Sequence, residues 1–200
     1  MSGGRAGVGV RTEMHGVKLR LALLALALAQ AGAASAQTPP GADAAREAFA
    51  RAAAVLQHPR CTNCHHRGEG PRQGNLQRAH LLNVKRGAEG RGDEAQPCGA
   101  CHKAQNTAGG AVPGAPDWRM PRPGQAAWDG LTAAEICAAL KDPERNSGLS
   151  LDQVVEHMAH DPLVVWAWEP GSIRSRPPIA HEEFMALMRT WRAGGAPCPA

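Results

Sequence analysis

Helical signals recur in four stretches of the chain. Ala42 to Gln57 is alanine-rich and sets Phe49, Ala53 and Leu56 on one side, until Pro59 forbids its continuation. Thr132-x-x-Glu135 is a capping box, in which the Thr side chain and the Glu three residues on satisfy each other's backbone N–H groups, and it predicts a helix through Ala139 and Leu140. Ser150 is a good N-cap for 151–160, where Leu151, Val154, Val155 and Met158 fall at i, i+3, i+4 and i+7. A last helix, about 180–193, is predicted to stop at Gly194-Gly195. Leu163-Val164-Val165-Trp166-Ala167-Trp168 reads instead as alternating, with Trp166 and Trp168 on one face of a strand.

Between these stretches the pattern fails. Residues 67–96 are rich in Gly and charge, and 103–130 hold Pro113, Pro116, Pro121 and Pro123 with Trp118 and Trp128, so both read as irregular loops. Gly and Pro make up 39 of 200 residues, while Trp and Phe together number 7 and Tyr is absent. That is a thin supply of aromatic side chains for one core. A mostly α, loop-rich domain is predicted, with something besides side chains filling its centre.

The N-terminal pattern is different in kind. Arg5, Arg11, Lys18 and Arg20 precede the apolar run Leu21 to Ala29, and Ala34-Ser35-Ala36 supplies a small-residue cleavage site. This is the layout of a secretory signal peptide, 1–36, with 37–200 as the mature domain, and its apolar run is too short for a membrane anchor. Met14 to Ala36 already holds every part of such a leader, so Met1 and Met14 are both candidate starts. Cleavage changes the balance from 22 basic and 18 acidic residues to 18 and 17, a net of +1. The basic character belongs to the leader, and a nucleic-acid partner loses its support. A periplasmic location and an oxidising compartment are the expectation.

All six cysteines lie in 37–200. Four form the pairs Cys61-Thr62-Asn63-Cys64-His65 and Cys98-Gly99-Ala100-Cys101-His102, the attachment signature of c-type haem. Two thiols three residues apart reach both vinyl groups on one edge of a porphyrin, and the His that follows reaches the iron from below. A Cys₄ zinc site built from Cys61, Cys64, Cys98 and Cys101, or two local disulfides, are the competing readings. Either leaves His65 and His102 without a role. Two haems are expected as cofactors, and they would also supply the missing core, so that an apoprotein would be largely unfolded.

The second axial ligand of each iron is open to several residues: His58, His66, His80, His157, His160, His181, Met120, Met158, Met185 and Met188. On the 151–160 helix, His157 lies roughly 110° from the centre of the apolar stripe and His160 roughly 170°. His157 therefore borders the buried face and His160 points to water. His80 precedes Leu81-Leu82, which would dock on a haem face. His58 and His66 are too near their own attachment site to reach its opposite face, and either is left as a candidate for the other haem. Met120, in Trp118-Arg119-Met120-Pro121, is similar to the Met-Pro loops of monohaem cytochromes. His80 with His157 is the favoured pair and Met120 the alternative. Arg78 and Arg86 are candidates to pair with haem propionates. Cys137 and Cys198 remain, and an even remainder in an exported chain points to a disulfide.

HPRCTNCHH (58–66), the QGN…H…VKRG stretch (73–87), CGACH (98–102), PG.PDWRMP (113–121), NSGLS…HMAHDPLVVWAWEPG (146–171) and APCP (196–199) resemble dihaem c-type cytochromes of bacterial periplasms, and more narrowly the cytochrome subunits of isoquinoline 1-oxidoreductase. The resemblance covers nearly all of 37–200. It implies an electron-transfer protein whose partner is a molybdenum hydroxylase-type dehydrogenase. It also matches His80 to a His of that family. A small dihaem peroxidase and a haem-based sensor are the alternatives, and each requires one iron with an open position.

Overall fold

The computed structural model describes residues 41–200, together with Met1, Gly3, Gly4 and Gly7 at the N-terminus. The segment 1–36, where the sequence leads one to expect a signal peptide, lies outside the described residues apart from those four. What is described is mostly helical and loop-rich, and none of its helices is long and apolar enough to cross a membrane.

Seven helices follow in chain order: α1 (Ala42–Leu56), α2 (Pro59–Thr62), α3 (Cys98–Cys101), α4 (Ala133–Lys141), α5 (Leu151–His160), α6 (Pro162–Val165) and α7 (His181–Ala193). The longer ones begin and end where the sequence marks them. Thr132 and Glu135 form the capping box of α4, and Ser150 forms a second one with Gln153 at the start of α5. A two-residue antiparallel hairpin, β1 (Arg72–Gln73) with β2 (Arg78–Ala79), is the one named sheet among the described residues.

The strand expected at 163–168 is not formed. Asp161 accepts the Leu163 N–H and Pro162 occupies the first turn, so the segment starts as α6 and tightens into a 3-10 turn over Trp166–Trp168. An N-cap followed by Pro is a helix start, and here it overrides the β-branched pair Val164-Val165. Trp166 and Trp168 accordingly do not share a strand face.

Helix α1 packs chiefly on α7 and next on α4, and α5 closes against α7. Their contact faces make a side-chain core of Phe49, Val55, Ile136, Val154, Phe184, Met188 and Trp191, with Phe49 and Trp191 centroids 4.7 Å apart. The helical half is thus filled by its own side chains, which the low aromatic count did not lead one to expect. The loop half, 59–130, is different. Its buried residues other than glycine are Arg60, Thr62, Asn63, His66, Arg86, Ala115, Met120 and Trp128, mostly polar, and Gly90, Gly110 and Gly114 are buried with them. At Gly90 (φ +74) the carbonyl accepts the Met120 N–H at 2.8 Å, and a Cβ would sit 2.0 Å from the Met120 oxygen. Only glycine lets the two loops touch there.

The remaining pair of cysteines is bonded. Cys137 in α4 and Cys198 in the tail form a disulfide, as the cysteine count led one to expect.

Candidate functional site

Two sites are built on the two Cys-x-x-Cys-His runs, and they repeat one design. In the first, His58 caps α2 through its ring Nδ1, and the turn delivers Cys61, Cys64 and His65 to the wall of a cavity of about 490 Å³. His65 Nδ1 donates to the Ala126 carbonyl at 2.8 Å, and its ring stacks on Trp128 with centroids 3.9 Å apart and planes within 11°. In the second, α3 carries Cys98 and Cys101. His102 Nδ1 donates to the Pro113 carbonyl at 2.7 Å, and its ring stacks on Trp118 at 4.4 Å and 2°. In both, the carbonyl fixes the tautomer and the indole fixes the ring plane. Nε2 is left as the free lone pair. That is how a metal-binding imidazole is prepared.

Burial holds His65 neutral, its pKa pushed down to about 4, and lowers that of His102 as well. Neutral rings are what a metal requires. Burial also pushes the Cys61 thiol up to about 12 and the Cys64 thiol up to about 11. Thiols kept protonated in an apolar wall suit a carbon–sulfur bond better than a thiolate–metal bond. Cys61, Cys64, Cys98 and Cys101 are all unpaired, and among the described residues no group of three or more His, Cys, Asp or Glu gathers at a metal's reach. Neither the Cys₄ zinc site nor the local disulfides draw support from this placement.

Of the candidate second ligands, most are already engaged. His58 Nε2 lies 3.3 Å from Ser175 Oγ. His66 is buried, with Nδ1 accepting the Gly68 N–H and Nε2 without a partner, but it does not line the cavity that holds His65. His181 Nε2 bonds the Met158 carbonyl, and Met185 and Met188 lie in the helical core. His160 is exposed beside Glu156, as the helical wheel placed it. His80, His157, Met120 and Met158 are left.

His157 lines the first cavity, and its charge is among the causes that lower His65. Its Nδ1 lies 3.3 Å from Asp161 Oδ2, again leaving Nε2 free. Burial would raise the Asp161 pKa, but hydrogen bonds from His157, Arg119 and the Leu163 N–H outweigh it and hold the carboxylate ionised well below the usual range. Met120 and Met158 are buried in the same wall. His80 sits at the second site: its ring centroid is 6.0 Å from that of His102, and its Nδ1 bonds the Leu81 carbonyl at 2.7 Å. Two imidazoles bound through Nε2 at about 2 Å each have centroids roughly 6 Å apart. The structure thus places His80 beside His102, and puts His157 and His65 on the wall of one cavity.

The arginines are placed differently from expectation. Arg86 is buried and spends its guanidinium on the carbonyls of His66, Gly68 and Pro121, so it is a loop strut, not an anion partner. Arg78 lies exposed in β2. Arg60 and Arg119 line the first cavity instead, and Arg60 Nε is a buried donor without a protein partner. Arg60 directly precedes Cys61 and Arg119 precedes Met120, a proximity that marks both in the sequence. The residues present therefore fit a haem at each site: two thiols and an oriented imidazole at each, a second imidazole on the same cavity wall at the first and 6.0 Å away at the second, and at the first a guanidinium Nε free for a carboxylate.

Compared with known proteins, the chain matches no family model, no curated protein and no solved structure.

Proposed function

We propose that this chain is a dihaem c-type cytochrome that transfers electrons outside the cytoplasm. The observation that carries the reading is the repeated site: a Cys-x-x-Cys-His turn whose His is tied at Nδ1 to a carbonyl, stacked on a Trp, and open at Nε2. When bound, each haem supplies a one-electron iron couple. Cys61 and Cys64 would hold the first through thioethers, and Cys98 and Cys101 the second. His65 and His102 would each give one ligand to the iron, with His157 and His80 as the candidates for the second and Met120 as the competing ligand in the first cavity.

Around these, the chain controls access and charge. Trp128, Val154, Leu163, Val164 and Phe184 wall the first site away from water, which favours the less charged reduced state. Arg60 meets a propionate there. The second site lies nearer the surface, where Cys101 is exposed, and it is the port for a protein partner. The resemblance named above makes a periplasmic molybdenum hydroxylase-type dehydrogenase the first partner to try.

The test is an optical spectrum, oxidised and reduced, of protein exported by a host with haem-attachment machinery, with haem per chain counted on the same sample. Two covalent six-coordinate low-spin haems are the expected result. One high-spin haem would move the reading to a peroxidase or a gas sensor, and no haem would overturn it.

A further inference from the structure

Trp118 is shared by the two sites. Its indole stacks on His102, and the same residue lines the cavity holding Cys61, Cys64 and His65. It also lines a smaller cavity, about 350 Å³, that runs along His102, Pro97 and Gly99. Arg91 is the other residue found on both walls, but it is a half-exposed cation paired with Asp117. Trp118 alone brings an aromatic surface to both.

The ring is also held from several sides. Trp166, itself in the wall of the first cavity, meets it edge-on with centroids 4.8 Å apart and planes at 75°. Trp166 Nε1–H donates to Asn106 Oδ1 at 2.9 Å, an oxygen that also accepts the Gly114 N–H. The next residue, Arg119, bridges Asp117 to Asp161, the carboxylate that holds His157. The segment 117–119 therefore touches the proximal His of one site and, through Asp161, the distal His of the other.

We propose that Trp118 couples the two sites, orienting His102 by stacking and giving the electron a conjugated path from the second haem to the first. The inference rests on the dihaem reading. With a haem held at each site, one electron would pass from the group held by His102, which would be oxidised, to the group held by His65, which would be reduced. A one-electron redox protein refills the second site, and another empties the first. No bond forms or breaks, no proton moves, and Trp118 itself is not oxidised.

The experiment compares Trp118→Leu, Trp118→Phe and, as a control, Trp128→Phe, in full-length exported protein. Haem per chain is counted first on the wild type, and fewer than two covalent haems there sinks the dihaem reading itself. With two haems, the low-spin electron paramagnetic resonance signals and midpoint potentials of both sites are read, with the rate of exchange between them after flash reduction. Trp118→Leu is expected to shift the signals of both sites and to slow the exchange between them. Trp118→Phe should recover most of the rate, because the stack survives. Trp128→Phe should shift the His65 site alone. A Trp118→Leu change confined to one site, or an unaltered exchange rate, overturns the proposal. Should the Leu variant fail to accumulate, Trp118→Phe decides: small shifts at both sites with exchange slightly slower than wild type support it, and a shift at one site or at neither overturns it.

Discussion

The imidazoles of His80 and His102 lie with centroids 6.0 Å apart and planes at 62°, one delivered by the residue after β2 and the other by the end of α3. Each has Nδ1 engaged by a carbonyl, so their Nε2 atoms are the ones left for a shared metal. His80→Ala should turn one of two low-spin haem signals high-spin and spare the other. His157→Ala should do the reverse, and the exposed His160→Ala should do neither. The check is the low-temperature paramagnetic resonance spectrum of each exported variant. If His157→Ala leaves both irons low-spin and Met120→Leu does not, Met120 is the ligand opposite His65.

Arg86 and Arg78 look alike in sequence and sit in the same loop, yet they should behave very differently. Arg86 is 4% exposed and donates to three carbonyls from two loops, while Arg78 is open to solvent. Removing the Arg86 guanidinium leaves those acceptors unsatisfied, and Arg86→Ala should cost about 3 kcal/mol. Arg78→Ala should stay within about 0.5 kcal/mol of wild type, as surface changes do. Urea unfolding of the two variants separates them, and equal midpoints would remove Arg86 from its role as a strut.

Replacing Cys61, Cys64, Cys98 and Cys101 by Ser together should divide the molecule. The packing of α1, α4, α5 and α7 is made by side chains, so this half should keep its helical circular dichroism without haem. The 59–130 half buries mostly polar groups and should open to protease. Full loss of helix would restore the simpler expectation of a largely unfolded apoprotein. Full protease resistance would mean that the loops need no haem to hold them.

The helices were legible because their signals are local: Thr132 with Glu135, Ser150 with Gln153, and the apolar spacing from Leu151 to Met158 each occupy one or two turns. The Cys-x-x-Cys-His runs were legible for the same reason. What was not legible is what depends on chain crossing chain. Trp118 and Trp128 read only as loop aromatics, because nothing near them names the histidines they stack on, 16 and 63 residues away. The placement of His80 beside His102, and of His157 on the cavity wall that holds His65, is set by loop packing in the same way. Arg86 was misplaced because a basic loop residue looks solvated until the carbonyls that surround it are assembled. The strand at 163–168 failed where a two-residue start signal, Asp161-Pro162, outweighed a six-residue alternation.

The Cys137–Cys198 bond closes a loop across 61 residues and ties the tail to α4, where Lys141 Nζ also donates to the Ala196 carbonyl at 2.9 Å. Trp191 Nε1–H bonds the Pro197 carbonyl at 3.1 Å, so the tail is anchored at both of the residues that lead into the half-cystine. Cross-linking a loop of that length removes chain entropy from the unfolded state worth about 4 kcal/mol. The Cys137→Ala, Cys198→Ala double variant should therefore melt about 10 °C lower. Its haem spectrum should match the wild type, since neither cysteine lines the cavities of the two sites. Calorimetry and an optical spectrum on one preparation decide the matter. An unchanged melting point would show that the two tail hydrogen bonds already hold the fold, and a changed spectrum would show that α4 transmits strain to the first site through Leu140, which lines it.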